Sequence, residues 1–472
     1  MVRGGRKYLS AEISLLPDRT KKWSVRAAHI FPNTYAAGMS NLGYLAVFEV
    51  MHRFWQFFPQ RFFGAEPFSL ETGENLAQFP IISVSLSFEP DFLNLVRMFR
   101  RAGVPLRAEE REQLVILGGA GATINPYPYS PFADAIFIGE GTEYIEKIFA
   151  ILAENPVGRV PKAEILPELA KIPGVWVPTA DSQPPPRAIS KSEIPPVAKI
   201  LSSFASFPNM VLVQIQRGCL FACPFCATPI IYNPFKNFSA ERIISALAPW
   251  EKVGYSRVGL VGSAIADHPE LGELLDYFAA RDVEVFTSSL RVDRLTDKLL
   301  KKLAHTTRHT VTFAPETGSP HLKRQIRKDI SAEGIISASA KIPAREIKLY
   351  YIVGLPGETE EDVRLTGEEI KTISRALGDR KIVASVNPFI PKRGTRWGDF
   401  SMMPHKELVR RFGILKKILR GQKNVIIDVN YKRRTRIQWA LSVGGKKVGE
   451  AFLETDNVSE IISKLQKMGW DI

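Results

Sequence analysis

The chain has 472 residues, 45% of them apolar and 24% charged. That length supports two or three domains with buried cores, and that composition excludes a disordered, collagen-like or low-complexity chain. The formal charge of +14, from 63 Lys and Arg against 49 Asp and Glu, suits an acidic partner such as nucleic acid and equally suits a solvated basic surface.

Residues 1–24 are read as an N-terminal extension. The start, MVRGGRKYLSAEISLLPDR, is basic but lacks the continuous apolar segment of a signal peptide. No stretch reaches the ~18 apolar residues of a membrane span, so a cytoplasmic location is expected.

Over 25–155, short apolar runs alternate with helix-length amphipathic stretches. VRAAHIF, IISVSLS, LVILGG and AIFIG are the predicted strands, and NLGYLAVFEVMHRF and FLNLVRMFRRAG are predicted helices. The alternation predicts an α/β domain with a doubly wound, Rossmann-like parallel sheet. Each predicted strand runs into small or polar residues: Asn33 and Thr34, Ser85 and Ser87, then the glycine-rich 118–121 and 139–141. Ligands of open parallel sheets sit beyond such strand ends, although glycines there also serve ordinary tight turns. Residues 156–208, with PPP at 184–186 and PP at 195–196, read as a linker with one hairpin around VWVP.

The alternation resumes over 209–395 with VLVQIQ, RVGLVG, VEVFTSS, HTVTFAPE, IKLYYIVG and IVASVNPF. Six strand-then-helix steps predict a (β/α)6-type partial TIM barrel whose site gathers at the carboxyl ends of its strands. Residues 396–472 read as a small α+β cap: the helix LVRRFGILKKILRG, a strand, a helix and a final amphipathic helix.

All three cysteines of the chain fall in QRGCLFACPFCATP, spaced Cys219-x3-Cys223-x2-Cys226 after the first predicted barrel strand. An odd, clustered set reads as metal ligands, since thiolates are soft anionic donors. A structural zinc wants four protein ligands, and none of the seven histidines lies near the loop, His268 being the nearest downstream. An iron–sulfur cubane takes thiolates, and three of them leave one iron open.

With this loop the sequence resembles the radical S-adenosylmethionine enzymes, through GLVGSAIADHP, TSSLRVDRL, TFAPETGSPHLKRQIRK and YYIVGLPGETEEDV. The resemblance implies that Cys219, Cys223 and Cys226 hold a [4Fe-4S] cluster whose open iron takes the amino and carboxylate groups of S-adenosylmethionine. It also implies an electron donor such as ferredoxin or flavodoxin. By position, Phe225 corresponds to the aromatic that packs on adenine, and Gly262 and Ser263 to the segment that contacts the amine, without its usual acidic residue. Ser288, Arg291, Glu316 and Gly354 stand at later strand ends, where they would orient the nucleoside and the carboxylate, Arg291 as its bidentate partner. Glu316 followed by Thr317 and Gly318 also reads as a helix start, and the segment Gly354 to Glu358 as a turn into a capped helix. No catalytic acid or base is assigned.

The first domain resembles the cobalamin-binding domain of one branch of that superfamily, in SVSLSFEPDFLNLVRMFRRAGVPLR, ILGGAGATINPYP and DAIFIGEGTEYI. Where that branch often carries Asp-x-His-x-x-Gly, this chain has Asn33-x-Tyr35-x-x-Gly38, without the histidine that ligates cobalt. Ser87, Gly118 and Gly119 match the positions that accommodate the nucleotide tail. The expectation is cobalamin held without a histidine, with Tyr35 near the cobalt; the other reading is a fold that has lost the cofactor. Bound cobalamin implies methyl transfer to an unactivated carbon. Without it, the chemistry is rearrangement, cyclisation or hydrogen abstraction.

A third reading is a zinc-containing nucleic-acid-binding protein, resting on the net charge and on Lys432, Arg433 and Arg434 beside Tyr431 and Trp439. Lys392, Arg393 and Arg396 hint at an anionic substrate. Three cysteines leave none for the auxiliary cluster of a methylthiotransferase, nor for a methyl-carrying thiol.

Overall fold

The computed structural model describes residues 3–19, 23–155, 157, 159–306, 309–432 and 434–472. The chain divides into two compact units, one comprising 1–212 with 440–470 and the other 213–439 with 471–472.

In the first unit, a six-stranded sheet has the spatial order Phe57–Phe63, Val25–Phe31, Ile81–Ser85, Leu114–Gly118, Ala135–Phe137, Val175–Trp176. The first five strands are parallel and the last is antiparallel. The four predicted strands are present. The edge strand FFPQRFF is an addition whose Pro59, Gln60 and Arg61 break the apolar pattern. An edge tolerates a proline, and the buried polar pair is satisfied laterally: Gln60 donates to Glu74 at 3.0 Å, and Arg61 pairs with Glu12 at 2.8 Å and Glu71 at 2.6 Å. The helix Phe92–Ala102 buries Leu95, Val96 and Phe99 and stops at Gly103, whose φ of 74° is the left-handed stop that glycine permits.

Residues 156–208 hold more structure than a linker. The helix Lys162–Ala170 precedes Val175–Trp176, which pairs with Ala135–Phe137 instead of forming a local hairpin. Burying Val175, Trp176 and Val177 favours the sheet edge over an exposed hairpin. Ile200–Ser202 pairs with Glu12–Ser14 of the N-terminal extension.

All six predicted barrel strands are present, five within the second unit and the first, Val211–Gln214, crossing its boundary. Glu284–Thr287, Arg257–Val261 and Val211–Gln214 form a three-stranded sheet. Thr310–Glu316, Glu346–Val353, Lys381–Pro388 and Val425–Val429 form a parallel four-stranded one, and a parallel bridge from Leu290 to Phe313 links the two. The result is an open, TIM-like parallel barrel. The helix Glu360–Leu377 is fixed at its start by a capping box between Thr359 and Asp362.

The expected C-terminal cap is divided. Its helix His405–Ile418 and strand Val425–Val429 extend the barrel sheet, whereas 440–470 belongs to the first unit. There Asn125 Nδ2 donates to the carbonyls of Leu441 and Gly444, both at 2.8 Å, and Glu450 pairs with Arg107 at 2.5 Å. Gly449 lies so close to the turn Tyr127–Tyr129 that a Cβ would sit 1.8 Å from the Pro128 carbonyl oxygen. Among the described residues, no helix is long and apolar enough to cross a membrane.

Candidate active site

The cysteine loop leaves the barrel through a forced turn. Gly218 has φ 74°, and a Cβ there would lie 2.1 Å from the Tyr232 carbonyl oxygen. The short strands Gln216–Arg217 and Lys236–Asn237 pair across the loop's base. Inside it, Cys226 N donates to Cys223 O at 3.1 Å before the short helix Thr228–Ile231. All three thiols are free and half-buried. Burial raises the Cys219 thiol and pushes that of Cys223 up to about 11, while Lys328 and Arg291 pull both back towards the thiolate. Among the described residues, no three His, Cys, Asp or Glu side chains are already gathered as a metal site.

Phe225 packs against Leu322, Ile326, Leu355 and Phe389, with Ile352 and Trp397 beside them. One side of its ring is thereby core. The strand-end residues converge around the loop. Ser288 Oγ donates to Gly262 O at 2.6 Å, while Ser263 is exposed. Gln216 accepts from Ala264 N at 2.7 Å and donates to Ala264 O at 3.1 Å, fastening the Gly262 turn to the start of the cysteine loop. Arg291 lies over the Phe221 ring at 3.8 Å, but its fork is occupied by Asp293, at 2.7 and 3.2 Å.

Glu316 is buried, with φ 67° at an irregularity between Phe313 and Glu316 in its strand. Such a backbone is costly for a residue with a Cβ. Its Oε1 accepts from Lys328 Nζ at 2.7 Å. Burial pushes the carboxyl pKa up, and Lys328 opposes the shift. The helix start expected at Glu316 belongs to Ser319, which caps Pro320–Gln325. Gly354 has φ 89°, and its N–H donates at 2.8 Å to Glu358, which Arg411 holds from behind at 2.7 Å. Lys328 and Gln216 were not expected from the sequence. Lys328 is the last of several cations in HLKRQIRK, and only the fold tells it from the others.

In the first unit, Asn33 Nδ2 donates to both oxygens of Asp91, at 2.9 and 3.0 Å. Tyr35 turns its hydroxyl to Glu12 at 2.6 Å and Ser202 at 2.9 Å and stacks on Tyr8. Gly38 is buried against Phe63, and Ser87 accepts from Asn41 at 3.1 Å. Gly118 borders Phe137, and Gly119, with φ 105°, brings the chain against Leu86 O, 2.6 Å from where a Cβ would be. The glycines thus admit a neighbouring backbone at the strand ends.

The family model described as "Radical SAM superfamily" matches residues 213–370, and the one described as "Radical SAM proteins, N-terminal" matches 60–178. This chain belongs to the radical SAM superfamily of enzymes. Membership sets aside the zinc-centred reading. An uncharacterized protein of Methanocaldococcus jannaschii is 26% identical over 450 residues, covering 93% of each chain. An uncharacterized methyltransferase of Pyrococcus horikoshii is 25% identical over 62% of this chain and 66% of its own length. A tRNA-2-methylthio-N(6)-dimethylallyladenosine synthase of Syntrophomonas wolfei is 25% identical, and this radical SAM chain spans only 54% of it. Among solved structures, the radical S-adenosylmethionine methyltransferase TsrM of Kitasatospora setae, with cobalamin and a [4Fe-4S] cluster bound, matches with TM-score 0.60 at 12% identity over 94% of this chain and 100% of that one. The cobalamin-dependent radical enzyme OxsB matches with TM-score 0.50 at 12% identity over 84% of this chain and 56% of that one. These likenesses show the shared fold: a cobalamin-domain-like α/β sheet and a radical SAM barrel.

Proposed function

We propose that this protein cleaves S-adenosylmethionine reductively and, with cobalamin held by the first unit, transfers a methyl group to an unactivated carbon. The observation that carries the reading is the set of three free, half-buried thiols in eight residues, acted on by the cations Lys328 and Arg291. The donor set fits a cubane cluster: half-buried soft ligands whose ionisation two cations already assist.

Cys219, Cys223 and Cys226 would hold a [4Fe-4S] cluster, which when bound would supply the electron for breaking the sulfonium's carbon–sulfur bond, drawn from a reductant of the ferredoxin or flavodoxin kind. The chain's own residues bind and orient. Lys328, and Arg291 once Asp293 is exchanged, pair with the methionine carboxylate. Glu316 offers Oε2 to the amine or a ribose hydroxyl, the role left open by the missing acidic residue beside Gly262 and Ser263. Phe225, backed by its apolar cluster, presents a ring face to adenine, and Ser288 and Gly354 edge the nucleoside. In the first unit, the residues around Ser87, Gly118 and Gly119 would hold the nucleotide tail. Tyr35, its hydroxyl committed to Glu12 and Ser202 and its ring packed on Tyr8 and Phe63, offers no free ligand atom, so a cobalamin held by this unit would take none from Tyr35. Methylthio transfer is disfavoured, because the loop uses every cysteine of the 472 residues.

A second reading, radical chemistry without cobalamin, is favoured by Gly119 and Gly121, whose missing side chains make room for the Leu86 carbonyl. Anaerobic reconstitution with iron, sulfide and hydroxocobalamin separates the two. Methyl transfer predicts a base-off cobalamin spectrum and a methylated product beside 5′-deoxyadenosine, whereas 5′-deoxyadenosine alone selects the second reading. Cys219→Ala is expected to lose iron and all 5′-deoxyadenosine formation; a native protein that binds no iron overturns both.

A further inference from the structure

The chain's charge is concentrated in one stretch. Residues 392–439 contain 14 Lys and Arg against three Asp and Glu, a net +11 of the chain's +14. The fold then sorts these cations between the two ends of the barrel sheet.

At the carboxyl ends, where the cysteine loop also lies, the strand Lys381–Pro388 runs into Lys392, Arg393 and Arg396, and the neighbouring strand Val425–Val429 runs into Tyr431, Lys432 and Arg434. Arg433 lies outside the described residues. Lys406 stands at the start of the helix His405–Ile418, which is tied to the same end by His405 Nδ1 and the Tyr431 hydroxyl at 2.7 Å. The loop bearing Arg396 is bound to the cysteine loop itself, since Trp397 N donates to Pro224 O at 3.1 Å and Trp397 and Phe225 pack against the same apolar cluster. Arg396, Lys406, Lys432 and Arg434 are exposed and make no ion pair among the described residues, with Asp399 the acidic residue within this loop. Phe400, 49% exposed, adds an aromatic face next to Trp397. The opposite end of the sheet carries Lys416, Lys417, Arg420 and Lys423, also exposed, with no aromatic among them.

We infer that the substrate is an RNA, whose phosphates are held by Lys392, Arg393, Arg396, Lys406, Lys432 and Arg434 while a base of a single-stranded loop reaches the barrel mouth. Cations spaced over two adjacent strand ends, with an exposed ring in the loop that carries Arg396, match a phosphate backbone carrying stackable bases. An RNA loop presents unstacked bases, whereas a duplex hides them. This assignment of substrate rests on the radical reading above, but RNA binding is measured apart from it.

The test uses a single-stranded RNA oligonucleotide, its DNA counterpart and phosphatidylglycerol vesicles, with the full chain and the variant R396Q/K432Q/R434Q. Six phosphate contacts predict that a fourfold rise in salt weakens single-stranded RNA binding about 340-fold, and three contacts about 18-fold. Phe400→Ala is expected to weaken binding about tenfold. The equal change of charge at the far end, K416Q/K417Q/K423Q, is expected to leave affinity within about twofold, and unaltered iron content shows that each variant has folded. RNA binding no weaker in the first variant than in the second overturns the inference, as does tighter binding of DNA or of vesicles. Failure here with 5′-deoxyadenosine formation intact removes the RNA and leaves the radical reading standing.

Discussion

Lys328→Met tests the electrostatics of the site directly. The substitution removes the cation 2.7 Å from a Glu316 that is 8% exposed and already destabilised by burial. Stranding one member of a buried pair costs about 3–5 kcal/mol. For a unit of this size each kcal/mol moves the midpoint by about 2–4 °C, so thermal unfolding at pH 8 is expected to fall by roughly 6–20 °C. The sign of the pH dependence follows from the carboxyl group. Without Lys328 its folded pKa climbs further above the unfolded value, so the penalty is full at high pH and shrinks as falling pH supplies the missing proton. Adding Glu316→Gln removes the stranded charge, and E316Q/K328M should recover most of the loss. Both variants should bind S-adenosylmethionine more weakly than the native chain. A Lys328→Met midpoint within about 2 °C of native, or a loss equal at pH 8 and pH 5.5, refutes the pairing as the element that makes a buried Glu316 tolerable.

Two further outcomes follow from the first unit. His29 is fully buried between Ser83 and the Tyr44 carbonyl, and desolvation lowers its pKa to about 3. The unfolded chain therefore takes a proton near pH 6.5 that the folded one refuses. Stability is complete above that pH and should fall by about 3 kcal/mol by pH 4.5. Urea unfolding against pH should show a loss about half as large in His29→Gln as in the native chain, since His52, whose pKa burial lowers to about 4, contributes a comparable share by pH 4.5. Gly119→Ala places a Cβ 2.6 Å from Leu86 O at φ 105°, at a cost of about 1–3 kcal/mol. Its expected phenotype is lost hydroxocobalamin uptake, read by absorbance, with 5′-deoxyadenosine formation retained. Full cobalamin uptake by this variant removes Gly119 from the proposed tail site.

Much of this protein could be read from its residues in order. The three cysteines define a ligand set because metal chemistry is written in local spacing, and the ten strands expected in the two halves appear because alternation and short apolar runs report burial a few residues at a time. What depends on distant partners could not be read that way. Arg61 makes sense on an edge strand only when Glu12 and Glu71 are brought to it. Lys328 stands out from its neighbouring cations only once a strand irregularity buries Glu316 beside it. Residues 440–470 join the first unit through Asn125 and Gly449, positions that carry no periodic signal. Sequence alone settled which atoms are able to ligate and which segments become strands, since both follow from side-chain chemistry and near-neighbour periodicity. The tertiary structure decided which charges are buried together and which strand ends share a face, because Coulomb energy and desolvation depend on distance in space, not on distance along the chain.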